Sequence, residues 1–169
     1  MNLANEFEKL KNLRDSGAVT QEEFDRSKNR LLDAAVRRIE AFDDRKPAVV
    51  ASTGVSMYLT RDANAATLRQ VAALAPGSTF AMTFLLPLEL ADPDIRPGLE
   101  MAEKGARASG TPFLSFFTPP EILALAREAG FREARHVSAA DLTRRYFAGR
   151  ADGLRPPNNT EELLVATAG

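Results

Sequence analysis

An α/β fold preceded by an α-helical hairpin is predicted by three observations. Residues 1–42 carry apolar positions at helical spacing, Ala48-Val49-Val50-Ala51 opens an alternation of short apolar runs with helical runs, and Pro or Gly marks the junctions at Pro47, Gly54, Pro76-Gly77, Pro87, Pro119 and Gly130. With 169 residues, 44% hydrophobic and 27% charged, the chain can bury a core of ordinary size and is not a mainly disordered polymer.

In the hairpin, Leu3, Phe7, Leu10 and Leu13 form one stripe of an amphipathic helix of about three turns. Asp15-Ser16-Gly17 breaks it. Thr20 and Glu23 then have capping-box spacing: the threonine oxygen accepts the amide hydrogen three residues on, and the glutamate reaches back to the cap amide. A second helix is therefore predicted, with Phe24, Leu31, Leu32, Ala35, Val36 and Ile39 on its apolar side and Pro47 limiting its length. Residues 43–47 read as a charged, solvated linker.

From residue 48 onward the elements follow in order. Ala48–Ala51 has the composition of a strand buried on both faces, and Gly54 turns the chain out of it. Thr60 starts a helix expected over Asn64 to Leu74, with Ala65, Leu68, Val71 and Ala72 inward. Thr79 to Leu86 is the next buried strand, ended by Pro87. A helix is expected around Pro97 to Ala108 between Pro- and Gly-rich connections. Thr118-Pro119-Pro120-Glu121 supplies a cap, first-turn prolines and a reciprocal glutamate for a helix from Glu121 to Ala129. Gly130 suits the left-handed position that ends it, Phe131–Val137 alternates as a strand, Asp141 to Phe147 makes a further helical turn, and Leu163–Thr167 is the last strand.

Composition excludes several classes of function. A net charge of -1, with ten basic and ten acidic groups in residues 1–46, offers no field for nucleic acid or an anionic membrane. The absence of Cys rules out disulfides, thiolate nucleophiles and Cys-based metal sites, and the single His136 rules out a histidine metal cluster. No apolar run is long enough to span a bilayer and no signal-peptide core is present, so a cytoplasmic protein is expected.

Two resemblances extend this reading. Leu10-Lys11-Asn12-Leu13-Arg14-Asp15-Ser16-Gly17, then Thr20 to Phe24, then Leu31-Leu32, resembles the short helical hairpin called SHOCT, which implies an interaction or oligomerisation module and no chemistry. Ser52-Thr53-Gly54-Val55-Ser56-Met57-Tyr58-Leu59-Thr60 resembles the strand-to-helix turn of a class I S-adenosylmethionine methyltransferase in the branch related to the leucine carboxyl methyltransferases. Ala75-Pro76-Gly77-Ser78, Phe116-Phe117-Thr118-Pro119, Ala129-Gly130-Phe131 and the run from Tyr146 to Leu154 match that branch in the same order. The resemblance implies a partial Rossmann-like sheet, its last four strands ending in an antiparallel edge hairpin, over residues 48–169.

The same resemblance implies S-adenosyl-L-methionine as cofactor and methyl transfer to an oxygen of a small molecule or carboxylate, a displacement that depends chiefly on orientation. It places Ser52, Thr53, Gly54 and Met57 nearest the cofactor, Tyr58 under the methyl acceptor, and Tyr146, Arg150 and Asp152 around the acceptor pocket. No catalytic acid or base is assigned. Ordinary turn bonding for Ser52 and Thr53, core packing for Met57 and Tyr58, a surface ion pair for Arg150 and Asp152, and a structural or solvated His136 are the competing readings of these residues. The turn carries Thr53 where the branch has an acid, and a hydroxyl cannot pair ionically with the cofactor's ammonium group. The family's glycine-rich cofactor turn has no counterpart in residues 1–47. The chain alone is thus expected to be an incomplete or inactive methyltransferase, with a noncatalytic oligomerisation or interaction module as the alternative. The strand near Ala48 would be an edge, covered by the 1–42 hairpin or by pairing between chains, so a homo-oligomer or a partner protein is expected.

Overall fold

The computed structural model describes residues 3–37, 43, 45–156 and 160–169, in two units, residues 1–43 and 44–169. In the first unit, helix α1 (Leu3–Asp15) ends where Gly17 adopts a φ of +74° and the Ala18 amide donates to Leu13 O at 2.9 Å. Helix α2 (Gln21–Arg37) begins with the expected capping box: Thr20 N donates to Glu23 Oε2 at 2.9 Å and Glu23 N to Thr20 Oγ1 at 3.2 Å. The bonds from Thr20 hold the Glu23 carboxyl below the usual range. The helices pack together, with Phe24 buried and the Arg14 guanidinium 4.8 Å from its ring centroid. The side chains of Leu3, Phe7, Leu31, Leu32, Ala35 and Val36, and Ile39 altogether, lie outside the described residues.

The second unit is a mixed sheet with helices. Its strands are β1 (Val49–Ser52), β2 (Thr79–Leu85), β3 (Phe131–Val137) and β4 (Glu161–Ala168), in spatial order β1-β2-β4-β3. β1 and β2 are parallel, and β4 runs antiparallel to both β2 and β3. Helix α3 (Arg61–Ala72) makes the β1–β2 crossover, and α5 (Pro119–Glu128) leads into β3. Phe80, Met82 and Phe84 of β2 and Leu164 and Ala166 of β4 share one sheet face and form the core with Leu68 and Val71 of α3 and Ile122 and Ala126 of α5. The opposite face, with Ala81, Thr83, Leu163 and Val165, is only half-buried. Helix α4 (Arg96–Ala108) and the short α6 (Ala139–Leu142), which runs into a π turn over Thr143–Phe147, complete the unit. Among the described residues, no helix is long and apolar enough to cross a membrane.

The strand at Ala48–Ala51 departs from its expected burial. β1 is shifted by one residue and only one of its faces is shielded: Val49 is 82% exposed and Ala51 is exposed, while Val50 and Ser52 are half-buried. It pairs with β2 alone, so its outer edge keeps free backbone groups among the described residues. Other boundaries shift as well. α3 starts at Arg61 because Thr60 itself caps it, accepting from Ala63 N at 3.2 Å, and β4 begins two residues early, at Glu161.

Candidate functional site

At the end of β1 the chain leaves the sheet through Thr53 and Gly54, whose φ of +66° lies in the left-handed region that favours glycine. A 3-10 turn, Ser56–Tyr58, leads to the cap at Thr60. Side chains from three places fix this turn. On β2, Thr83 Oγ1 accepts from Gly54 N at 2.8 Å, and its carbonyl accepts from Ser56 Oγ at 2.7 Å. On α3, Asn64 Nδ2 donates to Ser56 O at 3.0 Å, Thr60 O at 3.2 Å and Leu59 O at 3.4 Å. Ahead of α5, Ser115 Oγ donates to Leu59 O at 2.6 Å, and Leu114 N donates to Met57 O at 2.6 Å. Asn64 is fully buried, yet its Oδ1 has no hydrogen-bond partner, a cost tolerated where surrounding bonds over-determine a conformation.

The expected cofactor positions divide. Ser52 is half-buried and Thr53 and Gly54 are exposed, so this part of the turn presents hydroxyls and backbone to solvent. Met57 is 6% exposed and is a core side chain. Tyr58 is half-buried and packs edge-to-face on Phe113, ring centroids 5.5 Å apart. Nearby, Arg61 sits 3.6 Å from Glu121, whose carboxyl is held below the usual range first by the Thr118 amide bond and then by the Thr118 hydroxyl.

Tyr146, Arg150 and Asp152 lie elsewhere. Tyr146 is 61% exposed on the π turn, in a groove beside β3 and β4, at the other side of the sheet from β1 in strand order. Arg150 Nε donates to Asp152 Oδ1 at 2.9 Å, an exposed pair that raises the arginine and lowers the aspartate. His136 is within 2.5 Å of Glu162, which is 3% exposed, beside the Phe84 ring. Asn64, Thr83, Ser115 and Glu162 were not singled out by sequence reasoning. The first three act on residues 4 to 56 positions away, and local patterns carry no signal for such bonds.

Residues 5–32 match SHOCT, described as a short C-terminal domain. Over 102 residues, 60% of the chain, it is 31% identical to YktD of Bacillus subtilis (strain 168), named as a candidate S-adenosyl-L-methionine-dependent methyltransferase. A crystal structure of a candidate methyltransferase from Thermobifida fusca YX superposes with a TM-score of 0.55 at 25% identity, covering 79% of this chain. The second unit has an S-adenosylmethionine-dependent methyltransferase-like fold. A DUF574-family protein from Streptomyces avermitilis MA-4680 has the same fold, with a TM-score of 0.56 at 16% identity over 83% of the chain. The chain spans 34% of the length of YktD and 47% and 52% of these two structures.

Proposed function

We propose that the methyltransferase-like unit forms one wall of an S-adenosylmethionine-dependent O-methyltransferase site whose acceptor is a small molecule or a carboxylate. The other wall, including the glycine-rich turn, comes from polypeptide paired along the outer edge of β1. The observation that carries the reading is the turn Ser52–Thr60, rigidly tethered at the end of an edge strand and open to solvent at Thr53 and Gly54. Ligands of open α/β sheets gather at such strand ends.

The residues present fit one edge of the cofactor. A Cβ built on Gly54 meets nothing within 4 Å, so a ligand can approach the backbone there, and the Ser52 and Thr53 hydroxyls can each accept or donate a hydrogen bond. None of these side chains is charged, so the cofactor's ammonium and carboxylate groups need partners from the second wall. When bound, S-adenosylmethionine supplies an electrophilic methyl group on a sulfonium. This chain's part is positional: Thr83 and Asn64 hold the turn, and Tyr58 closes its apolar side. Taken alone, the chain does not methylate. The β1 edge is the proposed contact with a partner protein that brings the second wall, and the SHOCT hairpin is a proposed contact with that partner or with a second copy of the chain. A noncatalytic interaction module is the second reading, supported by that same hairpin and free edge.

Calorimetric titration of the chain with S-adenosylhomocysteine tests the one-wall reading. No saturable binding in the micromolar range is expected. Micromolar, stoichiometric binding by the monomer would overturn it.

A further inference from the structure

The half-buried face of the sheet carries a second feature, at the side remote from β1. Arg135 of β3 pairs in register with Val165, and Val137 with Leu163, so these residues line one strip of that face. The chain leaving β3 folds back through α6 and the π turn, and the space between is an open groove of about 460 Å³. Its lining includes Arg135, Arg144, Arg145, Asp141 and Tyr146 over the apolar strip of Leu163 and Val165.

The lining charge is cationic in a chain whose net charge is -1. Asp141 is already engaged: it accepts from Ser138 N at 3.1 Å and Ser138 Oγ at 2.8 Å in a capping box, and pairs with Arg144. Arg145 has its guanidinium carbon 5.4 Å from the Tyr146 ring centroid, and among the described residues no carboxylate pairs with Arg145 or Arg135. Two guanidiniums without counter-charges, beside apolar side chains and an exposed aromatic ring, combine a fork for an anion with a surface for a flat apolar body. Asp141 and Arg144 offset one another, so the uncompensated positive charge of the groove is that of Arg135 and Arg145, whose planar forks suit a carboxylate.

We propose that this groove binds a small organic monocarboxylate with a flat apolar body, its carboxylate held by Arg135 and Arg145 and its body lying on Leu163 and Val165 against Tyr146. The volume falls within the range of small-molecule pockets, about 300–1,000 Å³. The site is separate from the turn at Ser52, since β1 and β3 are three strand spacings apart, about 14 Å. The proposal goes beyond the methyltransferase reading and does not need it.

The test uses a matched pair of probes, 2-naphthoate and the neutral 2-naphthamide, titrated into the full chain and followed by fluorescence and calorimetry. Naphthoate is expected to saturate and to bind about tenfold or more tightly than naphthamide, since hydrogen bonds to a charged group are stronger than those to a neutral one. Arg135→Gln and Arg145→Gln, checked for intact circular dichroism, should each weaken naphthoate about tenfold and leave naphthamide unchanged. Arg107→Gln on α4 should change neither, and S-adenosylhomocysteine should not displace the probe. Equal affinity for the two probes, unaltered naphthoate binding by both groove variants, or no saturation by naphthoate would overturn the proposal.

Discussion

Asn64 is the side chain whose alteration most directly tests how the turn is held. It is fully buried, and its Nδ2 donates to three carbonyls, Ser56 O, Thr60 O and Leu59 O, at 3.0, 3.2 and 3.4 Å. Each carbonyl keeps another donor: Leu59 N for Ser56 O, Asn64 N for Thr60 O, and Ser115 Oγ for Leu59 O. Asn64→Ala therefore leaves no carbonyl bare, and its cost is the net value of the lost bonds, about 0.5–1.5 kcal/mol each. Relief of the unpartnered Oδ1, whose burial costs about 1–3 kcal/mol, offsets part of that. With a small cavity included, about 1–2 kcal/mol of destabilisation is expected.

Asn64→Asp keeps the shape but turns a carboxylate toward three carbonyl oxygens, and should cost about 3–5 kcal/mol near neutral pH, as an unpaired buried charge does. The introduced carboxyl would have its folded-state pKa raised above the unfolded value. Its penalty is therefore present in full above the folded pKa and disappears as pH falls toward the unfolded one. Urea unfolding followed by circular dichroism, with amide exchange at Tyr58 and Leu59, measures both variants near neutral pH and in mild acid. If Asn64→Asp costs no more than Asn64→Ala at neutral pH, or if the gap does not narrow in acid, the assigned role of Asn64 is wrong.

Other predictions follow from the same contacts. Phe80→Ala removes a fully buried ring at the centre of the core and should destabilise the second unit by about 3–5 kcal/mol in urea unfolding. Thr118→Ala removes the α5 cap and should cost about 1 kcal/mol. Glu121 and Asp141 are lowered by bonds from Thr118 and Ser138, so their contribution is present above the ordinary carboxylate range and lost as pH falls through it toward their lowered folded values. Thermal melts across that interval should show stability declining on acidification, with a shallower decline in Thr118→Ala. Val49→Lys places a charge on the free edge and should reduce self-association or partner capture through β1, read by sedimentation; unchanged association would place that contact elsewhere.

Features set by neighbouring residues were legible in the sequence. The Thr118–Glu121 capping box, the glycine ends at Gly17 and Gly130, and the β2 core residues follow from local spacing, because the groups that interact are a few positions apart or alternate along one strand. Position in the sheet was less legible. β1 has the composition of a doubly covered strand but lies at an edge, and no local pattern tells a strand which neighbours it will have. Glu161 and Glu162 look too polar to open a strand; Glu162 is buried there with its carboxylate against His136, which pairs in register with Leu164 and lies 26 residues away in sequence. At the candidate site, the turn itself was visible from Gly54 and Thr60, but its tethers to Thr83, Asn64 and Ser115 depend on the folded crossover.

The central claim is that the turn at the end of β1 is one wall of a methyltransferase cofactor site. Its most direct test is an amide NMR titration of the chain with millimolar S-adenosylhomocysteine. The account predicts weak, fast-exchanging shifts concentrated at Ser52, Thr53 and Gly54 and fading beyond Met57. Unmoved amides at these three residues, or shifts centred elsewhere on the molecule, would contradict it.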